Sequence, residues 1–553
     1  MADLAILNAT IVDGTGGPGF RGDVVVRDGK IVSVGEPAGS AERTIDGEAL
    51  TLAPGFIDIH THFDPQLCWD GLATPSIEHG ITTVVIGNCS LSLAPVRPEG
   101  IHKLIMMFQV IEDIKERTFD AAVPFSWESF PEYLDHIRDG LGINVGAMVG
   151  HSALRHYVMG ADSQKREATD DEIAEMCSLL EEAMEAGALG LSSSYVDMDE
   201  NMAPVPSRFA DLREKIALCT AMARSGRGVY QVVPYFPEIG QQLKNIAELG
   251  EISRASGVLC SLQPILSSPQ SPEASESIEA LEAERQSGAR VFGQVMPRNF
   301  DLNMRLSETS MLLYAFPGWK AVMDKPIPER IACFSDPAQR QALVDEMLEP
   351  AGMGAAVPFL KVGSVKSEEN SKYVGRMLLE IAGAEKKPVP EVLLDIALAD
   401  DLETEFQMQG VMNADKAAVA NLMDHPLLHV GASDAGAHIT QFCGTGDTTH
   451  LLQHYVRETG RMTIERAIHR ITGELAQDWG LSDRGTIEVG KAADLVLFDA
   501  EKVECGEEKF VDDFPGEARR YVRKATGYKA VIVNGEVVYE DDEYTGARPG
   551  AIV

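Results

Sequence analysis

Basic residues are scarce in this chain. Lys and Arg number 48 against 85 Asp and Glu in 553 residues, a formal charge of −37. A surface that acidic repels nucleic acid and anionic membranes, and no basic cluster offsets it, so neither is an expected partner. A polyanionic substrate is disfavoured too, although a local basic pocket could hold one carboxylate. The 8 cysteines are spread too thinly for a disulfide framework. No uninterrupted apolar run reaches the roughly 18 residues of a membrane helix. Residues 1–13, MADLAILNATIVD, lack the basic region and the apolar core of a secretory signal. A cytoplasmic, reduced protein is the expectation. Internal repeats and low-complexity segments are absent. So is any histidine between His156 and His425.

What is present is ordinary globular composition, 44% hydrophobic and 24% charged. The length suits several domains or one large α/β barrel with additions. Both ends read as short alternating strands with tight turns: LAILNATIVDGTG and GDVVVRDGKIVSVGE at the start, RGTIEVGKAADLVLFD and YKAVIVNGEVVYED at the close. Between them lie eight apolar strands, each running into a loop: LAPGFIDIHTH, ITTVVIGNCS, INVGAMVGHSALR, ALGLSSSYV, GVYQVVPYF, GVLCSLQPIL, ARVFGQVMPR and LLHVGASDAGAH. Helical stretches separate some of them, among them ATDDEIAEMCSLLEEAMEAG, with an acidic first turn and a closing Gly. Eight strands with helices between them predict an α/β fold, a parallel (β/α)8 TIM barrel over residues 55–475. Its active site would collect at the C-terminal strand ends. A largely helical insertion is expected at about 302–426, over the barrel mouth.

The chemistry concentrates at strand ends. In GFIDIHTHFD, His60 and His62 sit two apart, so a strand presents both imidazoles on one face. Asp64 follows as a support for them. In GASDAGAH, Asp434 is a strand-end carboxylate suited to binding a metal or taking a proton from water. His151, in VGHSALR, is placed at the mouth, and His438 lies four residues beyond Asp434. Arg155 and Arg298 are near strand ends, where a guanidinium could pair with a substrate carboxylate. The Gly-rich GTGDTTH at 444–450 lacks the Lys of a phosphate loop and reads as a flexible rim.

The segments APGFIDIHTHFD, GNCS, GHSALR, GASDAGAH, RGTIEVGKAADLVLFD and YTGARPGAIV, in that order, resemble the amidohydrolase superfamily, and within it the D-aminoacylase branch. The resemblance spans nearly the whole chain. It implies a metal-dependent barrel with a small β-sandwich built from both ends, residues 1–54 and 476–553. It also implies zinc held by the strand-one histidines, a cysteine after strand two, one histidine each at strands five and six, and an aspartate at strand eight. His60, His62, Cys89 and Asp434 match that set. The two middle histidines do not: Gln231 and Gln263 stand near their positions. No lysine ends the fourth strand, so a carboxylated lysine there is excluded.

Three readings of the centre stay open. One metal could be held by His60, His62 and Asp434 with water completing the shell. Cys89 could join as thiolate, or His151 and His438 could substitute for missing ligands. Or the site could bind no metal. Gln231 and Gln263 are then candidates to touch substrate, with His151, His438, Arg155 and Arg298. The leading expectation is a metal-dependent hydrolase of a C–N bond, generically of an N-acyl-D-amino acid, with Asp434 as general base and about one zinc. A one-metal lyase or C–C hydrolase and a non-catalytic binding protein are the alternatives. A homo-oligomer is compatible with the sequence, and no stretch demonstrates it.

Overall fold

The eight apolar segments form the strands Phe56–Asp58, Ile81–Ile86, Asn144–Gly150, Gly190–Ser194, Val229–Val233, Leu259–Leu262, Val291–Val295 and Leu428–Val430. They are hydrogen-bonded to one another in that order as one parallel sheet. All their residues are buried, as parallel strands covered on both faces must be. The sheet closes on itself just beyond the first and last strands. Thr61 bridges Ala435 in parallel. His62 N–H donates to the Ala435 carbonyl at 2.7 Å and Asp434 N–H to the His60 carbonyl at 3.2 Å. A barrel of TIM type results, and the residues that seal it carry the candidate ligands. This computed structural model describes residues 2–269, 271–349 and 352–553.

Helices cover the barrel. The helix Asp170–Ala186 starts with a reciprocal capping box between Thr169 and Glu172 and stops at Gly187, whose φ of 118° suits glycine. The two chain ends meet in one nine-stranded sheet, in which Thr51–Pro54 pairs antiparallel with Leu495–Phe498. Period-two alternation splits that last strand. Leu495 and Leu497 enter the sheet's own core, while Val496 and Phe498 enter the barrel core. Each such burial stabilises by about 1.5–3 kcal/mol. Asp28-Gly29 and Asn534-Gly535 turn the hairpins with positive φ at both positions. The last residues dock under the barrel: Val145 N–H donates to the Ala551 carbonyl at 2.8 Å, and Val553 N–H to Val145 at 3.0 Å.

The segment between the seventh and eighth strands builds its own core around Trp319, Phe334, Leu393 and Phe406. It is largely helical and also carries a three-stranded antiparallel sheet of Phe300–Met304, Lys361–Val362 and Phe406–Met412. The helix Lys416–Asp424, inside the expected insertion, belongs with the barrel: Val419, Leu422 and Met423 pack into the barrel core. Among the described residues no helix is long and apolar enough to cross a membrane, and all eight cysteines are free thiols.

Candidate metal centre and active-site cavity

His60 and His62 follow the first strand, Cys89 follows the second and Asp434 follows the eighth. Their donor atoms converge. The two Nε2 atoms are 3.2 Å apart, and Cys89 Sγ is 3.5 Å from His60 Nε2. Asp434 Oδ1 is 3.4 Å from His60 Nε2 and 3.1 Å from His62 Nε2. A tetrahedral ion with bonds of about 2.0–2.3 Å separates its ligands by roughly 3.3–3.7 Å. His60, His62 and Cys89 therefore stand close enough to share one ion, Asp434 approaches it from the histidine side, and imidazole, thiolate and carboxylate are donor types that suit a metal. Cys89, Asp434 and His438 hold φ of 53°, 60° and 46°, in the left-handed region that side chains avoid. Such strain gathers where the backbone aims functional groups.

Each candidate ligand has a partner behind it. The Gln231 amide meets His60 Nδ1 at 2.9 Å, and Glu112 Oε1 lies 3.1 Å from His62 Nδ1. Outer partners of this kind fix which ring nitrogen carries the proton. The Gln263 amide N–H donates to Cys89 Sγ at 3.7 Å. Asp58 accepts from the Ser433 hydroxyl at 2.7 Å and from His60 N–H at 3.2 Å, tying the first strand to the eighth. Asp64 accepts from Gly87 N–H at 3.1 Å.

The cluster is electrostatically tense. Burial works to lower the His62 pKa, but Glu112, Asp434 and Asp64 outweigh it and push it up to about 9. Burial would raise Asp434, yet hydrogen bonds from His60 and His62 hold it well below the usual carboxylate range. Burial drives Glu112 up to about 8, and it raises the Cys89 thiol well above its ordinary value. Without an ion the His62 imidazolium balances the carboxylates around it, and the donor types gathered here are also ones a divalent metal fits.

A sequence match to the amidohydrolase family covers residues 43–539. This chain belongs to the amidohydrolase family. It falls in the D-aminoacylase branch, and its activity class is metal-dependent hydrolysis of C–N bonds. It is 28% identical to the D-aminoacylase of Alcaligenes xylosoxydans xylosoxydans over 100% of this chain and 97% of that one. The N-acyl-D-aspartate deacylase of the same organism is 30% identical over 100% of this chain and 95% of its own length. The N-acyl-D-glutamate deacylase of Bordetella bronchiseptica, solved with zinc and a phosphonate mimic of the tetrahedral intermediate, superimposes with a TM-score of 0.67. It is 25% identical and covers 99% of this chain and 98% of its own. A D-aminoacylase described by its binuclear metal centre, with one-metal activation and second-metal attenuation, also gives 0.67, at 28% identity over 100% of this chain and 99% of that one.

Several expected substrate residues of this amidohydrolase lie elsewhere. His151 is fully buried, with Nε2 2.8 Å from Glu214 Oε1 and Nδ1 3.1 Å from Ser193 Oγ. Arg155 pairs with the same Glu214. The helix His151–Met159 starts directly after the third strand, and both side chains meet Glu214 of the helix Leu212–Ala223. They form a structural knot. Gln231 and Gln263 stand behind His60 and Cys89, at 2.9 and 3.7 Å. Arg298 does border the cavity, but its fork is committed: Nε to Asp447 at 2.7 Å, Nη2 to the Ser433 carbonyl at 2.7 Å and Nη1 to the Asn299 carbonyl at 3.3 Å. It braces the residue before Asp434 and offers no free edge. His438 stays at the centre, with Nε2 3.6 Å from Asp434 Oδ2 and its ring against Phe442.

Glu112 and Asp197 were not foreseen. Glu112 ends the helix Ile101–Ile111, an acid where the helix dipole disfavours one. That misplaced charge after an apolar run was the available signal. Asp197 Oδ2 is buried without a partner, and burial pushes the carboxyl up to about 6 with Asp434 contributing. Nothing in its local sequence marks it. Beyond the centre opens a cavity of about 1000 Å³ between the mouth, the insertion and the hairpin of Lys509–Phe514 and Ala518–Val522. Arg298 lies in its wall and donates to the Ser433 carbonyl, and none of the candidate ligands lines it.

Proposed function

We propose that this chain hydrolyses the amide bond of a small N-acylated amino acid, generically an N-acyl-D-amino acid, at one zinc site. His60 and His62 Nε2, Asp434 Oδ1 and Cys89 Sγ would hold the ion. When bound, it supplies Lewis acidity toward the amide carbonyl and toward water. Asp434 then divides its labour. Oδ1 faces the two histidines, and Oδ2, on the His438 side, accepts the proton of the attacking water and returns it to the departing nitrogen. Glu112 and Gln231 hold the imidazoles in the tautomers this needs. Arg298 keeps Ser433, and so Asp434, in register. The terminal sheet is read as a small β-sandwich of residues 1–54 and 476–553 around its own apolar core.

The observation that carries the reading is the meeting of His60, His62 and Cys89 donor atoms at the strand ends of this barrel, with the Asp434 carboxylate 3.1–3.4 Å from both histidines. The test is turnover of a panel of N-acetyl-D- and N-acetyl-L-amino acids by zinc-loaded protein in heavy-oxygen water. Cleavage with heavy oxygen in the released acetate supports it. No cleavage of any amide by fully loaded protein contradicts it.

A further inference from the structure

Two neighbouring residues at the end of one helix reach two different stretches of the metal centre. Glu112 closes the helix Ile101–Ile111, its N–H donating to the Phe108 carbonyl at 2.9 Å, and its side chain meets His62. Asp113 follows with a φ of 62°, in the left-handed region, where the chain leaves the helix. Its carboxylate meets the eighth-strand loop instead. Oδ2 accepts from the Thr440 hydroxyl and from Thr440 N–H at 3.3 Å. Oδ1 accepts from Lys115 Nζ at 2.6 Å and from the hydroxyl of Thr309 in the insertion. Asp113 and Thr440 are 2% and 1% exposed, so water does not compete for these contacts. Hydrogen bonds to a carboxylate that also faces an amine are of the stronger kind.

Thr440 belongs to the turn that carries His438. Gln441 and Phe442 N–H donate to the His438 carbonyl at 2.7 and 3.2 Å, and His438 holds a φ of 46°. A side chain stays in that region only where its surroundings fix it. Asp113 supplies two of the contacts that do so, and Tyr521 N–H adds a third, to the Ile439 carbonyl at 2.7 Å. Asp113 is also among the charges that act on the His438 ring. That ring stands 3.6 Å from Asp434 Oδ2, the oxygen to which the reading above gives the proton of the attacking water. We propose that Asp113 is a positioning residue: through Thr440 it holds the His438 ring beside Asp434 Oδ2 and so keeps that oxygen aligned for proton transfer. The consequence for turnover rests on the amidase reading above; the placement of the ring does not.

The test compares Thr440→Val with Thr309→Val in zinc-loaded full-length protein. Thr440→Val removes one hydroxyl at nearly constant size. It should lower kcat for a cleaved N-acetyl-amino acid about tenfold or more, with KM within about twofold and zinc content unchanged. Thr440→Ser, which restores the hydroxyl, should return within about threefold of wild type. Thr309→Val removes a contact from the other carboxylate oxygen and should leave kcat within about threefold. In a His438→Gln background, Thr440→Val should cost less than about twofold more, because both changes act on one ring. Independently of turnover, nuclear magnetic resonance of protein labelled with heavy nitrogen in its histidines reads the ring itself, assigned by its loss in His438→Gln. Its signals should move in Thr440→Val and in Asp113→Asn and stay in place in Thr309→Val. Signals unmoved in Thr440→Val and Asp113→Asn, equal losses of kcat in Thr440→Val and Thr309→Val, or a fully additive loss in the His438→Gln background would each overturn the assignment. If no amide is cleaved but the ring signals move as stated, the amidase reading fails and the placement stands. If an amide is cleaved and the signals stay, the placement fails and the amidase reading stands.

Discussion

Two buried histidine clusters flank this barrel, and they differ in what their nitrogens meet. At the mouth, the Nε2 atoms of His60 and His62 face each other, a thiol and a carboxylate across 3.1–3.5 Å. Beside the third strand, both nitrogens of His151 are taken by Ser193 and Glu214, with Arg155 closing the charge. Both clusters sit at strand ends, and the histidines of both are wholly buried. The first leaves donor atoms converging on one another, the arrangement that an ion could share. The second is complete without one. A histidine's role here is set by whether its second nitrogen is spoken for, more than by its place on a strand.

That contrast can be broken at its structural side first. Arg155→Met leaves Glu214 buried with one cation fewer, and should cost about 3–5 kcal/mol of stability in denaturant unfolding. Metal content and kcat/KM of the folded fraction should stay at wild type; lost metal would mean the two clusters are not separate. His79 sharpens the comparison, being another satisfied histidine, bound to Thr449 Oγ1 at 2.8 Å and the Arg523 carbonyl at 2.9 Å. Burial lowers its pKa to about 4. The unfolded chain takes up that proton near pH 6.5 and the folded chain only near 4, so stability falls as pH drops through this window. The loss should reach about 3 kcal/mol below pH 4. His79→Gln should flatten the unfolding free energy between pH 6.5 and 4, and an unchanged slope would assign the acid lability elsewhere.

On the functional side, Glu112→Gln keeps the shape beside His62 and removes the charge. Zinc affinity should weaken about 10–100-fold in a chelator competition, with the fold intact by circular dichroism. The smallest effect is expected at Gln263→Ala, which removes one weak contact to Cys89 and should change zinc affinity by less than about tenfold. A larger loss there than at Glu112 would mean that the thiol carries the site.

Much of this was legible in the chain. The eight barrel strands are continuous apolar runs, and His60, His62 and Asp434 stand where a period of two and a strand terminus place them. The Asp28-Gly29 and Asn534-Gly535 turns carry their own chemistry. Gln231 and Gln263 were visible as departures, but their roles were not, since each acts on a side chain more than 140 positions away in the sequence. Glu112 escaped because its partner, His62, lies on another element of the barrel. His151 and Arg155 misled because Glu214 sits in the first turn of a helix, where an acid is ordinarily solvated. Its burial comes from packing that no local pattern records. Phe406–Met412 pairs with strands far away in the chain, so the insertion's sheet was hidden too.

The central claim is a single metal held by His60, His62, Cys89 and Asp434. Its most direct test is metal content by plasma mass spectrometry, on protein purified without chelator and supplied with zinc, beside a His60→Ala/His62→Ala variant. The account predicts about one tightly held ion per chain in the first and none in the second. Two ions per chain, or none in either protein, would contradict it.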